Sequence, residues 1–255
     1  MFDKARRNAK IVAEMMKMFR EILSESAKKF SVELSEIQLE QFEIFYKLVV
    51  QWNEKINLTA ITDEKDFAVK HIIDSLSLWN AEIFSDTKKV IDIGTGAGFP
   101  GVPLKIFKPE LEIVLLDSLS KRIDFLKKVV TELNLKNVTC IHGRAEDFAR
   151  QKNFREQFDL ATTRAVARLN IIAEYCLPFV KVGGIFVALK GKQFAEEISE
   201  AKSAVKILGG GEITFAEKIL PELPDKRAVI YIDKKKSTPK KFPRKAGTPS
   251  KSPLM

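Results

Sequence analysis

Apolar positions fall at helical spacing in the first third of the chain and then give way to short β-branched runs. Ile11, Met15, Met18, Phe19, Ile22 and Leu23 recur every three or four residues, which predicts an amphipathic helix within residues 4–30. Ser35 caps a second helix reaching Asn53, with Leu39, Phe42, Phe45, Tyr46, Val49 and Val50 as its inner face. Asn57-Leu58-Thr59 breaks the pattern, and Thr62-Asp63-Glu64-Lys65 opens a third helix running past His71 to about Trp79. Methionines and aromatics at this spacing read as core. Residues 1–86 are therefore expected to form a helical N-terminal cap.

From Lys88 the pattern alternates. Lys89 to Ile93, Glu112 to Leu116, Asn137 to Ile141, Phe158 to Thr162 and Gly184 to Lys190 read as buried strands. Helices are expected between them, at Ser120 to Leu133, Leu169 to Phe179 and, after the fifth strand, Phe194 to Leu208. Two last strands, Glu212 to Phe215 and Arg227 to Ile232, have no helix between them and read as a hairpin. The fold class is α/β: a mostly parallel sheet covered by helices on both faces and closed by an antiparallel hairpin, over residues 87–233.

The stretch after the first strand carries chemistry. Asp92-Ile93-Gly94-Thr95-Gly96-Ala97-Gly98-Phe99-Pro100-Gly101 puts glycines at alternate positions between a strand and a proline-led helix start. A plain turn needs one glycine, so close approach of a ligand to the backbone is indicated. Gly96 to Gly101 fits the dinucleotide pattern G-x-G-x-x-G. Asp92 to Gly98 fits the D-x-G-x-G-x-G pattern of class I methyltransferases, which bind S-adenosylmethionine. The loop alone leaves both open. A dinucleotide fold needs a second parallel half, and the closing hairpin favours the methyltransferase arrangement, a Rossmann-like sheet. Ligands of open α/β sheets sit at the carboxyl ends of strands. Those ends carry the glycines, then Asp117 for ribose hydroxyls, Ala145-Glu146 for the adenine edge, and Arg164 where a substrate pocket opens.

Charge changes the picture at one end only. The net charge is +9, yet residues 234–255 hold eight basic residues and no acidic one, leaving 35 basic and 34 acidic in the body. This tail reads either as an electrostatic handle for a polyanion or as a solvated end. No apolar run is long enough to span a membrane. Two cysteines in apolar segments, Cys140 and Cys176, read as free thiols of a reducing cytoplasm. No His/Cys cluster has metal-ligand spacing, so no metal is expected. Thr162-Thr163-Arg164-Ala165 stands where an exocyclic-amine methyltransferase carries Asn/Asp-Pro-Pro-aromatic.

Taken together, Trp52-Asn53, Asn57 to Ile61, Lys70 to Leu76, Asp92 to Gly101, Leu115 to Ser118, Ser120-Lys121-Arg122, Arg144-Ala145-Glu146, Arg164 to Ala167, Leu189-Lys190-Gly191 and the tail from Pro243 resemble the GidB/RsmG family. These are bacterial methyltransferases of guanine N7 in 16S ribosomal RNA. The resemblance covers residues from about 19 to the end. It implies S-adenosylmethionine contacts among Gly94, Gly96, Gly98, Phe99, Asp117, Ala145, Glu146 and Arg164. It also implies that His71, Lys190, Lys240, Lys241, Arg244 and Lys245 lie near RNA, with the small subunit or its assembly intermediate as partner and a monomeric enzyme. No general base is expected, and His71 and Arg164 are candidates for positioning. The alternatives are a methyltransferase for another RNA or a small molecule, and a non-catalytic RNA-binding relative.

Overall fold

The computed structural model describes residues 18–164, 167–221 and 226–255. The expected first turns with Ile11 and Met15, the Ala165-Val166 pair and much of the link between the last two strands lie outside the described residues. Helix α1 covers 18–29 and α2 covers Glu36–Asn53. Ser35 starts α2 with a capping box, exchanging hydrogen bonds with Gln38. The third helical stretch runs without a break through α3 (Glu64–Phe67), a π-helical segment (Ala68–Ile73) and α4 (Asp74–Leu76). Such π turns are concentrated at functional sites, and this one carries Lys70 and His71.

The alternating part comprises β1 (Lys89–Ile93), α5 (Gly101–Phe107), β2 (Glu112–Asp117), α6 (Ser120–Glu132), β3 (Val138–His142), α7 (Ala145–Phe148) and β4 (Phe158–Arg164). It continues with α8 (Leu169–Cys176), β5 (Val180–Lys190), α9 (Phe194–Ile207), β6 (Gly210–Lys218), β7 (Arg227–Lys234) and α10 (Thr248–Lys251). The seven strands lie in the order β3-β2-β1-β4-β5-β7-β6. The first five are parallel, and β7 runs antiparallel between β5 and β6. This is the class I methyltransferase sheet with its closing hairpin. Helix α8 stops three residues short of the expected Phe179, in a 3-10 turn over Leu177–Phe179. Pro178 has no N–H with which to extend it.

Alternation along the strands divides the core. Val90, Ile113, Leu115 and Val187 face one layer, where they meet Phe42, Phe45 and Phe67 of the cap and Phe125 of α6. Ile91, Val114, Phe186 and Ile230 face the other, under α8 and α9. A fully buried large apolar side chain contributes about 1.5–3 kcal/mol. The cap is thus held by a core shared with the sheet.

The tail does not trail into solvent. Lys234, counted with it by charge, closes β7 at 1% exposure, and its ammonium donates to the Leu177 carbonyl at 2.6 Å. Burial lowers its pKa to about 8. Beyond it the chain folds back over α8. Phe242 is buried, and Arg244 grips both oxygens of the buried Glu174 at 2.7–3.1 Å.

Candidate active site at the carboxyl ends of the strands

The loop after β1 is shaped by glycines. Gly94, Gly96 and Gly98 have φ of +67°, +60° and +98°, a region that side chains disfavour. A Cβ on Gly96 would meet nothing nearer than 4.0 Å, so its backbone borders open space. Gly98 and Gly101 serve packing instead. A Cβ there would lie 2.7 Å from Val102 and 2.4 Å from Leu115 respectively. Asp92 ties loop to helix: its Oδ2 accepts from the Thr95 hydroxyl at 2.7 Å and from the Gly101 N–H at 2.9 Å. It is fully buried, which raises its pKa to about 7, and its Oδ1 has no partner. Asp117, at the end of β2, joins this loop to the next. Its Oδ2 accepts from the Gly96 N–H and its Oδ1 from the Leu119 N–H, both at 2.9 Å. A carboxylate has about four acceptor positions, so capacity for ligand hydroxyls remains.

Three adjoining cavities open here. The largest, about 400 Å³, is lined among others by Thr59, His71, Gly94, Gly96, Phe99, Asp117, Arg122 and Arg164. A second, about 120 Å³, shares Gly94, Asp117 and Ser118 with it and extends to Gly143, Ala145, Glu146 and Tyr175. A third, about 280 Å³, shares His71 and Arg164 and is walled by Lys70, Asp74, Lys190 and Arg227.

The wall between the first and third is one bonded cluster. The Arg164 guanidinium donates to Asp74 at 3.0 Å, to the Lys70 carbonyl at 3.1 Å and to His71 Nδ1 at 3.0 Å. It lies 4.7 Å over the Phe99 ring, and Phe99 stacks on His71 at 4.4 Å. Asp74 also pairs with Arg227 at 3.4 Å. With Nδ1 accepting from Arg164, the His71 Nε2–H donates to Thr59 Oγ1 at 2.7 Å. Burial, and next the Arg164 charge, lower the His71 pKa to about 3, so the ring is neutral.

Of the residues singled out in the sequence, Gly94, Gly96, Phe99, Asp117, Ala145, Glu146, Arg164 and His71 line the first two cavities. Gly98 does not. Lys190 lines only the third, with its ammonium bonded to the Ala167 carbonyl and Glu197 at 2.6 Å. Arg244 is committed to Glu174. Lys240, Lys241 and Lys245 are exposed on the folded tail. Sequence reading missed Arg227 and Tyr175, and it gave no site role to Thr59 and Asp74, although both lie in the motifs quoted for the family. Asp74 had a signal, an acid among apolar residues on the His71 helix. Tyr175 had none.

The residues fit an adenosyl cofactor. The acceptor Asp117 lies where the first two cavities meet, and the open backbone at Gly96 borders the larger of them. A family model described as rRNA small subunit methyltransferase G, GidB, matches residues 38–222. Ribosomal RNA small subunit methyltransferase G of Lactococcus lactis subsp. cremoris (strain MG1363) is 51% identical over 88% of this chain and 94% of that protein. The namesake protein of Exiguobacterium sp. (strain ATCC BAA-1283 / AT1b) is 49% identical over 91% and 97%. Among solved structures, an O-methyltransferase from Bacillus cereus in complex with SAH has a TM-score of 0.54 at 16% identity, over 75% of this chain and 91% of that one. That likeness carries the fold. With the family model spanning most of its length and close relatives matching it nearly end to end, this chain belongs to the GidB family of S-adenosylmethionine-dependent small-subunit rRNA methyltransferases.

Proposed function

We propose that the chain methylates N7 of a guanine in 16S ribosomal RNA, acting as a monomer on the small subunit or an assembly intermediate. S-adenosylmethionine supplies an electrophilic methyl group. In this reading the cavity at Gly143 to Glu146 takes the adenine, Asp117 accepts the ribose hydroxyls, and the Gly94 to Ala97 backbone borders the methionine end. The guanine enters through the third cavity and reaches past the His71–Arg164 cluster into the first, where N7 meets the methyl. The observation that carries the reading is that wall: a neutral imidazole with both nitrogens occupied, beside the cofactor cavity.

Guanine N7 has an in-plane lone pair and no proton, so its methylation needs no base. Catalysis then rests on holding N7 in line with the methyl, an orientation contribution that reaches about 7–11 kcal/mol in favourable systems. Arg164, fixed by four neighbours, holds the dividing wall in place. The exposed tail lysines meet phosphates. The test is mass spectrometry of small-subunit RNA from cells with and without this gene. Loss of 7-methylguanosine from 16S RNA, restored by the intact gene, is expected. Unchanged 7-methylguanosine would overturn the assignment.

A further inference from the structure

The tail reaches the wall of the smaller cofactor cavity at two points. The Gly247 N–H donates to Glu146 Oε1 at 2.9 Å, and Ser250 Oγ lies 2.8 Å from the Tyr175 hydroxyl. Both Glu146 and Tyr175 line the 120 Å³ cavity. Glu146 is 4% exposed and makes no other hydrogen bond among the described residues, so only the tail fixes its carboxylate. The tail is itself anchored. Arg244 holds Glu174, the residue before Tyr175 on α8. Arg155 donates to the carbonyls of Thr238 at 2.7 Å and Phe242 at 2.9 Å. Asn170 donates to the Leu254 carbonyl at 3.3 Å.

We propose that residues 242–255 form a strap that shapes the adenine seat, with Tyr175 and Glu146 as the positioning residues that it sets. The proposal rests on the reading that this cavity takes the adenine. The cavity has an apolar side, from Ile93, Leu116 and Ala145, and a polar side at Glu146. A purine needs both: its faces are apolar and its edge carries hydrogen-bonding groups. With Oε1 taken by Gly247, the second Glu146 oxygen keeps its acceptor capacity. It suits the exocyclic amine of adenine and repels the carbonyl of hypoxanthine. The Tyr175 ring, tethered by Ser250, supplies an aromatic contact to the base. Loss of the strap thus acts on base recognition, although no tail residue lines the cavity.

The test is calorimetry with S-adenosylhomocysteine and its hypoxanthine counterpart as probes. Tyr175→Phe and Ser250→Ala each remove one end of the same hydrogen bond. Each is expected to weaken the adenine ligand by a similar factor of a few, with no further loss in the double variant, because both act through a single contact. Tyr175→Ala removes the ring as well and is expected to cost about tenfold, the scale of one aromatic–base contact. A chain ending at Lys245 loses both tethers and is expected to bind more weakly still and to lose much of its preference for adenine over hypoxanthine. Asp117→Asn serves as the control for the cofactor assignment itself. If Asp117→Asn weakens binding while the strap variants keep full affinity and base preference, the strap proposal falls and the adenosine reading stands. If neither class changes affinity, the reading of the cavity falls first. Should the shortened chain fail to fold, the Ser250→Ala and Tyr175→Phe pair decides alone.

Discussion

A buried histidine in a cluster of arginines cannot afford a charge, and that fixes what His71 does. Its pKa of about 3 compares with about 6.5 in an unfolded chain. Between those values the unfolded state binds one more proton, so stability rises with pH there. The contribution is complete above pH 6.5 and is lost as pH falls below it, at up to about 1.4 kcal/mol per unit. Asp92 acts in the opposite direction. Its raised pKa gives a contribution complete below pH 3.8 and lost as pH climbs to about 7. Urea unfolding between pH 4.5 and 7 is expected to show His71→Gln losing less stability on acidification than the parent chain. Parallel curves would mean that His71 is not held neutral. Single-turnover methylation at saturating RNA and cofactor is likewise expected to be free of a step near pH 6.5. A rise through 6.5 that disappears in His71→Gln would make His71 a general base. The strand-end residues Asp117 and Arg164 were legible in the sequence because strand ends are where α/β sheets bind. Asp74 was not read as Arg164's partner, since the pair is 90 residues apart in the chain.

The tail is the element whose role differs most from its charge. Eight basic residues suggested a handle, but Lys234 closes a buried strand and Arg244 pairs with Glu174. Composition counts charges and cannot show which of them are already paired. Lys240, Lys241 and Lys245 are exposed cations available to phosphates, as are Lys236 and Lys251. Replacing the first three with glutamine is expected to flatten the log–log salt dependence of RNA binding by roughly 2, at about 0.7 per single-stranded phosphate contact. Arg244→Gln is expected to leave that slope alone and lower the thermal midpoint, because it strands the buried Glu174 carboxylate. Equal slopes for the triple variant and the parent would confine the lysines to solubility. Most other elements followed their local signals, although β5 starts at Val180 rather than Gly184, β6 runs over Gly210–Lys218 rather than Glu212 to Phe215, and the short helices α7 and α10 were not expected. The Ser35 cap and the glycine loop were readable because each is specified by residues within a few positions of one another, and the closing hairpin because no helix separates its strands. The end of α8 was readable in principle from Pro178, which outweighed the apolar run around it.

At the scale of the molecule, a nearly neutral body carries the three adjoining cavities at the carboxyl ends of the strands, beside a cap that shares the sheet's core. Such a site is concave and walled by buried clusters, so in the proposed reaction the guanine must come to it. N7 lies in the major groove of an RNA helix, which is deep, narrow and closed to side chains in the A form. A paired guanine therefore cannot place N7 at the His71–Arg164 wall unless it leaves the helix, at a cost of a few kcal/mol for unstacking and unpairing. Small-subunit RNA with the target in a loop or distorted region is expected to be methylated efficiently. The same sequence locked in a perfect duplex is expected to be slower by the corresponding factor, about a hundredfold for 3 kcal/mol. The measurement is transfer of labelled methyl to matched loop and duplex substrates at equal saturation, so that binding differences do not enter. Equal rates on both would show that the site reads a stacked, paired guanine, and the entry route through the third cavity would have to be abandoned.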